Sequence, residues 1–306
     1  TVAHQYLSKP CNPEQLQDVI ERCGRVHAEL SDKRIVDIIA SVGSLPPLPM
    51  VYQELQKELA RPEANAESIA DIISKDLAMS AKVLQLVNSS FFASSRSVSD
   101  IKFAVVRLGF ELIKNVVLGA GVFRDAAANG LPAGLEINSL QAHAMRTAAY
   151  ARTLCTINEK KSDAFLGGML HDIGKLVLAA GLPDQYAGVL AMMQVEGCTA
   201  VQAEFEILGL SHPEVGGYLL QLWGLPYPVV ESVVSHHRSG TPAFDGLGPV
   251  GAVHLANLAV AYEDADEATL AQADPEYLAT LGFPGGVEDV IALLQQGGRR
   301  AAGGMR

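Results

Sequence analysis

Aromatic side chains are scarce in this chain, and few residues carry a charge. Phe, Trp and Tyr make up 6% of the 306 residues, with a single Trp, and charged residues make up 19%. Apolar residues reach 49%, so Ala, Leu and Val supply most of the core. A core of this composition favours packed helices over a β-sandwich, and the length suffices for about two domains.

An excess of positive charge is also missing. The 34 acidic residues outnumber the 23 basic ones, which gives a net charge of −11 at pH 7. Nucleic-acid backbones are bound by basic stripes, and the sequence shows none, so we expect no direct nucleic-acid partner. A small pocket for a nucleotide remains compatible with this charge.

Paired cysteines and long uncharged runs are absent as well. Cys11, Cys23, Cys155 and Cys198 are scattered without a CxxC pair, which indicates free thiols in a reducing compartment. The sequence shows no uncharged run of membrane length, and its first residues do not resemble a signal peptide. We therefore expect a cytoplasmic protein that does not enter a membrane.

The stretch 167–176 places a His-Asp pair inside an otherwise apolar run. Lys175 follows His171 by four residues and Asp172 by three, and on a helix both spacings place the ammonium on the side of the pair. Imidazole, carboxylate and ammonium could together hold a divalent metal ion and a phosphate oxygen. A buried Asp172–Lys175 ion pair beside a hydrogen-bonded histidine explains the same residues, so both hypotheses stay open.

Four further histidines accompany this pair along the chain, namely His143, His212, His236 and His237. Their order resembles the HD superfamily of metal-dependent phosphohydrolases. The chain more closely resembles the HDOD family, the HD-related output domains of bacterial signalling proteins. That closer resemblance is carried by Asp76 and by the segments 82–89 (KVLQLVNS) and 104–109 (AVVRLG).

The resemblance implies an all-α fold, a multi-helix HD-like bundle with an N-terminal helical subdomain. Apolar residues at helical spacing through 50–128, and again from residue 140, agree with it. Gly130, Pro132 and Gly134 mark the break between the subdomains. The expected organisation is a leader segment at 1–30, an N-terminal helical subdomain at 31–130, an HD-like helical subdomain at 131–264, and a loosely packed helical tail at 265–306 with a disordered end.

The first thirty residues resemble the end of a response-regulator receiver domain. Lys9-Pro10 follows a short strand-like segment, and a helical pattern begins at Leu16. The resemblance implies that the leader helix is left over from a receiver and that a histidine kinase acts on the missing part. Lys9 matches the receiver lysine that contacts the phosphorylated aspartate, but here it is better explained as an exposed lysine in a turn. The helix itself is a linker or a dimerising element.

The HD resemblance also implies a shared metal centre. The HD-GYP branch, which hydrolyses cyclic dinucleotides, adds further histidines and a lysine to the basic HD ligands. The ligands expected on this basis are His143, His171, Asp172, His212, His236 and His237, with Asn257 in place of a final aspartate. Lys175 matches the lysine and would be catalytic only in an enzyme.

Two departures from the HD-GYP pattern argue against catalysis. Asn257 brings no charge, and the Gly-Tyr-Pro loop is missing after His237. Two divalent ions would stay poorly neutralised by Asp172 alone, so the expected cofactor is one ion of Fe, Mn or Zn held by several imidazoles. The alternative is no cofactor, with these residues forming a hydrogen-bonded cluster left over from a catalytic ancestor.

We therefore expect a signal-transduction output domain of a two-component response regulator, acting by conformational coupling to a protein partner and without catalysis. A homodimer through the leader helix is compatible with this function. Two other functions stay open: a metal-dependent phosphohydrolase acting on a cyclic dinucleotide or nucleotide, and a nucleotide-binding sensor without turnover. His4, His27 and His254 have no partners in the pattern and are expected to play no part.

Overall fold

The computed structural model describes residues 45–88, 98–129, 131–238 and 246–303, with isolated positions between 21 and 39. All regular structure in these residues is helical, which confirms the predicted all-α class. The chain divides into two compact units. One comprises Pro47–Asn129 and Arg300–Arg306, and the other comprises Thr1–Pro46 and Gly130–Arg299. The predictions for Lys9, His4 and His27 lie outside the described residues.

The unit around residues 47–129 is built from α1 (Met50–Leu59), α2 (Ala66–Ser74), α3 (Leu77–Val87), α4 (Ile101–Leu108) and α5 (Phe110–Asn129). Polar residues begin its helices: Asn65 and Ser68 form a capping box on α2, and Asp76 accepts a hydrogen bond from the Met79 N–H of α3 at 2.9 Å. Gly109 ends α4 with φ +80°, a backbone conformation that favours glycine.

The buried face of α3 differs from the predicted one, since helical spacing predicts an apolar stripe of Leu77, Ala81, Leu84 and Val87. Leu77 is 85% exposed, because it lies in the first turn directly after the capping residue. The residues of α3 that face the core are Met79, Val83, Leu86 and Val87. This helix is apolar on several sides, so periodicity alone does not decide which stripe is buried.

Two residues of the N-terminal HDOD-like signature have structural roles in this unit. Besides capping α3, Asp76 pairs with Arg124 of α5 at 2.5 Å. The side-chain amide of Asn88 exchanges two hydrogen bonds with the backbone of Val98, each of 2.7 Å. The signature therefore ties the two ends of α3 to other parts of the same unit.

The other unit is built from α6 (Ile137–Leu154), α7 (Lys161–Leu170), α8 (Ile173–Gly181), α9 (Pro183–Glu196), α10 (Ala200–Leu208), α11 (His212–Leu222), α12 (Tyr227–Ser235), α13 (Pro249–Glu263), α14 (Glu267–Leu270), α15 (Pro275–Thr280) and α16 (Val287–Gly303). α13 is apolar on all sides and is surrounded by α6, α7 and α12. Gly168 lets α7 approach α6 closely, since a Cβ there would lie 2.7 Å from the Ala148 Cα. This packing brings the end of α7 next to the two long helices.

The segment after α13 is packed more tightly than the predicted loose tail. Leu278, Phe283, Val287 and Val290 are buried in one hydrophobic cluster with α13. The prediction of loose packing is therefore wrong for this segment, because the long helix α16 packs on the cluster through an apolar stripe of Val287, Val290, Ile291 and Leu294. α16 extends to Gly303, and residues 304–306 lie outside the described part of the chain.

Within the part of the chain that the structure describes, one stretch, Asn158–Gly181, is long and apolar enough by length and composition to cross a membrane, with a mean hydropathy of 1.2. It contains α7 and α8, and 83% of its apolar window is buried inside the protein. Such burial is typical of a core helix.

Candidate metal centre

The His-Asp pair lies in a turn between two helices. α7 ends at Leu170 and α8 begins at Ile173, so His171 and Asp172 connect them. The prediction of one continuous helix through the pair is therefore wrong. Lys175 nevertheless contacts Asp172, since its Nζ donates a hydrogen bond to Asp172 Oδ2 at 2.7 Å.

Backbone packing explains the turn. α8 lies directly on the start of α11, and a Cβ on Gly174 would be 2.0 Å from the carbonyl oxygen of His212. Only glycine allows this approach. The turn places His171 Nε2 3.1 Å from His143 Nε2 of α6 and Asp172 Oδ1 3.2 Å from His212 Nε2 of α11.

The first set of donor atoms, called here the outer group, consists of His143, His171 and Asp172. The Nε2 atoms of His143 and His171 are 3.1 Å apart, and Asp172 Oδ2 lies 3.5 Å from the Nε2 of His171. Asn257 Oδ1 is 3.1 Å from His143 Nε2, where a final ligand is expected. The side chain of His143 is 25% exposed, so this group borders the solvent.

The second set, called here the inner group, consists of Asp172, His212, His236 and His237. Asp172 Oδ1 lies 3.2 Å from His212 Nε2 and 3.6 Å from His236 Nε2. The ring centroids of His236 and His237 are 4.2 Å apart. One potential ligand atom of each residue lies within 4.8 Å of the others, and Asp172 belongs to both groups.

Hydrogen bonds at Nδ1 determine which nitrogen each imidazole offers. His171 Nδ1 lies 2.7 Å from the Gly168 carbonyl oxygen, and His236 Nδ1 lies 2.6 Å from that of Val233. His212 Nδ1 lies 2.7 Å from Glu204 Oε2. These oxygens only accept hydrogen bonds, so each Nδ1 carries a proton and a neutral ring presents its Nε2 lone pair to the centre.

The inner group thereby brings two lone pairs face to face. The Nε2 atoms of His212 and His236 are 3.2 Å apart, and neither has a proton to donate while both rings are neutral. Their repulsion is relieved by a cation, either a metal ion or a further proton on His212. In the outer group, by contrast, His143 can donate a proton from Nε2 to His171 or Asn257.

Two buried polar atoms of the inner group have no hydrogen-bond partner among the described residues, Asp172 Oδ1 and His237 Nε2. Buried polar atoms without a hydrogen-bond partner are uncommon in native proteins, and a bound ion is one way in which they are satisfied. Carboxylate oxygen and imidazole nitrogen are good ligands for divalent transition metals. The donor set therefore fits, and the cluster could hold a metal ion.

Burial keeps most of these rings neutral. It lowers the pKa of His171 and His237 well below the usual value, and it lowers the pKa of His236 to about 4. The neutral imidazole is the form that binds metals. Three of the expected ligands are thus held ready for an ion at neutral pH.

Two groups of the centre favour the charged form instead. For Asp172, burial raises the pKa, but the surrounding histidines and the Lys175 ammonium outweigh it and hold the pKa well below the usual value. For His212, burial lowers the pKa, but the adjacent Glu204 outweighs it and leaves the pKa raised. The centre therefore contains an ionised carboxylate and one histidine, His212, whose pKa is raised while those of the other ligand histidines are lowered.

All predicted site residues lie in this cluster. They are His143 on α6, His171 and Asp172 in the turn, Lys175 on α8, His212 on α11, His236 and His237 after α12, and Asn257 on α13. That they bind a metal stays a prediction. The missing Gly-Tyr-Pro loop concerns residues 238–242, of which 239–242 lie outside the described part of the chain.

Two further residues contact the site and were not predicted. Glu204, buried on α10, accepts a hydrogen bond from His212 Nδ1. His254, expected to play no part, is buried on α13 and its Nδ1 lies 3.0 Å from the carbonyl oxygen of His236. The sequence signal for His254 was a lone histidine among apolar positions of α13, whereas Glu204 shares α10 with Glu206 and nothing in the sequence separates the two.

The fold and the cluster together define an all-α domain of HD type with a histidine-rich centre that could hold a metal ion. The sequence of residues 45–239 matches the HDOD domain family. The chain therefore belongs to the HDOD domain family, which confirms the family resemblance of the sequence.

Solved structures share this fold. An HDOD domain protein of unknown function from Geobacter sulfurreducens is 24% identical, with a TM-score of 0.62 over 76% of this chain and 77% of the other. A proposed phosphohydrolase from Shewanella amazonensis is 22% identical, with a TM-score of 0.63 over 88% of this chain and 96% of the other. At these identities the likeness concerns the fold alone.

Two curated proteins are similar in sequence. An uncharacterized protein of Treponema pallidum is 24% identical over 237 residues, which cover 76% of this chain and 45% of that protein. The protein YuxH of Bacillus subtilis, also uncharacterized, is 32% identical over 79 residues, which cover 26% of this chain and 19% of that protein. The chain thus spans less than half the length of these relatives.

Proposed function

We propose that this chain is a signal-transduction output domain whose inner group binds one divalent transition metal and which acts without catalysis. The observation that carries the metal is the pair of Nε2 lone pairs of His212 and His236, fixed 3.2 Å apart by Nδ1 hydrogen bonds. Asp172 adds the negative charge. An ion of Zn, Fe or Mn suits three imidazoles and one carboxylate.

A single ion fits the charges better than two. Asp172 is the one carboxylate in the described donor groups, and Asn257 adds a neutral oxygen beside the outer group. A second divalent ion would lie close to the first with little negative charge to offset the repulsion. The inner group, with three histidines, is therefore the proposed site.

Packing of the leader helix supports the proposed conformational coupling. The described positions between 21 and 39 are helical, and Leu30 is buried. Its Cδ2 lies 3.3 Å from where a Cβ on Gly217 would be. Gly217 is on α11, which starts at His212, so a movement of the leader would reach the inner group through this helix.

In this proposal the leader continues from a receiver domain that a histidine kinase phosphorylates in the cytoplasm, and the readout is contact with a protein partner. The support is the likeness of 1–30 to the end of a receiver. A homodimer through the leader is compatible with the same scheme.

Truncating Leu30 tests the coupling. Leu30→Ala is expected to raise amide hydrogen exchange in α11 several-fold and to weaken metal binding, because it removes the side chain that packs on Gly217. Val36, a helical position six residues further along the chain, is 43% exposed and provides the control Val36→Ala, which should change neither. Mass-spectrometric hydrogen–deuterium exchange gives the measurement, and unchanged exchange in α11 would contradict the coupling.

A metal-dependent phosphohydrolase is the second candidate function, and one observation favours it. Lys175 and His143 are 17% and 25% exposed at the edge of an otherwise buried centre, so a phosphate could reach them. When bound, the ion would supply a Lewis acid for a phosphoryl oxygen. Lys175 would then bind the phosphate.

One set of measurements separates the two functions. We expect elemental analysis of the purified protein to find about one transition-metal ion per chain. We expect no hydrolysis of bis(p-nitrophenyl) phosphate or of a cyclic dinucleotide by the metal-loaded protein. Turnover that disappears in Lys175→Ala would establish the phosphohydrolase instead, and protein without bound metal after metal loading would refute the metal centre.

A further inference from the structure

Glu204 is a buried carboxylate that belongs to neither donor group and accepts three hydrogen bonds. It lies on α10 and is completely buried. Its Oε2 accepts hydrogen bonds from the backbone N–H of His212 at 2.8 Å and from His212 Nδ1 at 2.7 Å. Its Oε1 accepts a hydrogen bond from the Tyr186 hydroxyl at 3.0 Å. Both oxygens are thus fixed by residues of other helices.

The partner of His212 differs in kind from those of the other rings. His171 and His236 direct Nδ1 at neutral backbone carbonyls, whereas His212 directs Nδ1 at a carboxylate. A negative charge on the Nδ1 side makes the opposite nitrogen a more basic ligand. The backbone hydrogen bond also fixes the start of α11, so both the position and the direction of the His212 ring depend on Glu204.

Capping of α11 does not require this carboxylate. Ser211 and Glu214 already form a capping box there, with Glu214 Oε2 accepting from the Ser211 N–H at 2.7 Å. Burying Glu204 for a purely structural purpose would cost desolvation free energy at a helix end that is already capped. The hydrogen bond from His212 Nδ1 offers a reason for burying the Glu204 carboxylate.

We propose that Glu204 is a positioning residue that makes His212 the anchoring metal ligand of the inner group. It holds the ring with Nε2 directed at the ion and strengthens that nitrogen as a donor. The outer group, whose described Nδ1 partner is a backbone carbonyl, has no such support. This inference rests on the proposed function of the cluster as a metal centre.

The test compares Glu204→Gln with the wild type and with Glu206→Gln. Glutamine keeps the size and one hydrogen-bond acceptor but removes the charge, and Glu206 is an exposed residue of the same helix that undergoes the same change. Glu204→Gln should weaken Co²⁺ or Zn²⁺ binding by about 10–100-fold, the usual effect of losing a residue that hydrogen-bonds to a metal ligand. Glu206→Gln should bind as tightly as the wild type.

The visible absorption of bound Co²⁺ gives both affinity and coordination geometry, and circular dichroism reports the fold of each variant. Equal affinities of wild type and Glu204→Gln would overturn the role of Glu204 and leave the metal centre standing. A wild type that binds no Co²⁺ or Zn²⁺ would overturn the metal centre and this role together. An equal loss of affinity in Glu204→Gln and Glu206→Gln would also overturn the role of Glu204, because the overall charge of the protein would then explain both.

A second measurement does not depend on the folding of a variant. Ring ¹⁵N chemical shifts of the Zn²⁺-loaded wild type should show His212 protonated at Nδ1 and metal-bound at Nε2. The reverse assignment would overturn the proposed role of Glu204, because its carboxylate could not then accept a proton from this ring.

Discussion

Asp172→Asn should lose the metal ion, whereas His143→Ala should keep it in the inner group. Asp172 is shared: Oδ2 faces the outer histidines and Oδ1 faces His212 and His236 at 3.2 and 3.6 Å. Asparagine retains one oxygen but removes the negative charge that offsets a divalent ion. Removing a partner that only hydrogen-bonds to a metal ligand lowers affinity by up to ~100-fold. Because Asp172 is proposed to be a ligand itself, we expect a loss at least as large.

Equilibrium dialysis against Zn²⁺ with elemental analysis measures this difference. The matched control is Asp184→Asn, an exposed aspartate in the first turn of α9, which should bind as the wild type does. Metal retained at the wild-type level by Asp172→Asn would show that the carboxylate is not a ligand. Metal lost from His143→Ala as well would place the ion in the outer group, against the proposal.

The convergence of the histidines was the part of the site that the sequence predicted best. His143, His171, His212 and His236 are 93 residues apart from first to last, yet their Nε2 atoms lie together. Helical periodicity does not contain that information. It came from the family resemblance, in which the order of the residues is tied to a known bundle.

Contacts between distant segments account for what the sequence did not show. The turn at His171 and Asp172 depends on where α8 meets α11, and the local pattern alone favours an unbroken helix. Glu204 acquires its role only because the tight turn at Gly209, which has φ +74°, brings the start of α11 within hydrogen-bond distance of α10. His254 likewise matters only because α13 passes the carbonyl of His236.

Gly174→Ala should destabilise the protein strongly, because its neighbours are backbone atoms. The added Cβ would lie 2.0 Å from the His212 carbonyl oxygen and 2.9 Å from the Gly216 backbone nitrogen, so it meets atoms that no side-chain rotation can move. α8 and α11 would have to separate. We expect a loss of at least the ~1–3 kcal/mol typical of overpacked cores.

A second glycine shows whether the effect belongs to this contact. Gly188 lies inside α9, and a Cβ there would only meet Ile207 Cδ1 at an ordinary 3.7 Å. Gly188→Ala should therefore stabilise the protein by roughly 0.5–1 kcal/mol, because alanine has the higher helix propensity. Chemical denaturation of the metal-free variants measures both changes. If Gly174→Ala were as stable as the wild type, α8 and α11 could not approach as closely as described, and the glycine between Asp172 and Lys175 would need an explanation in ligand binding instead of packing.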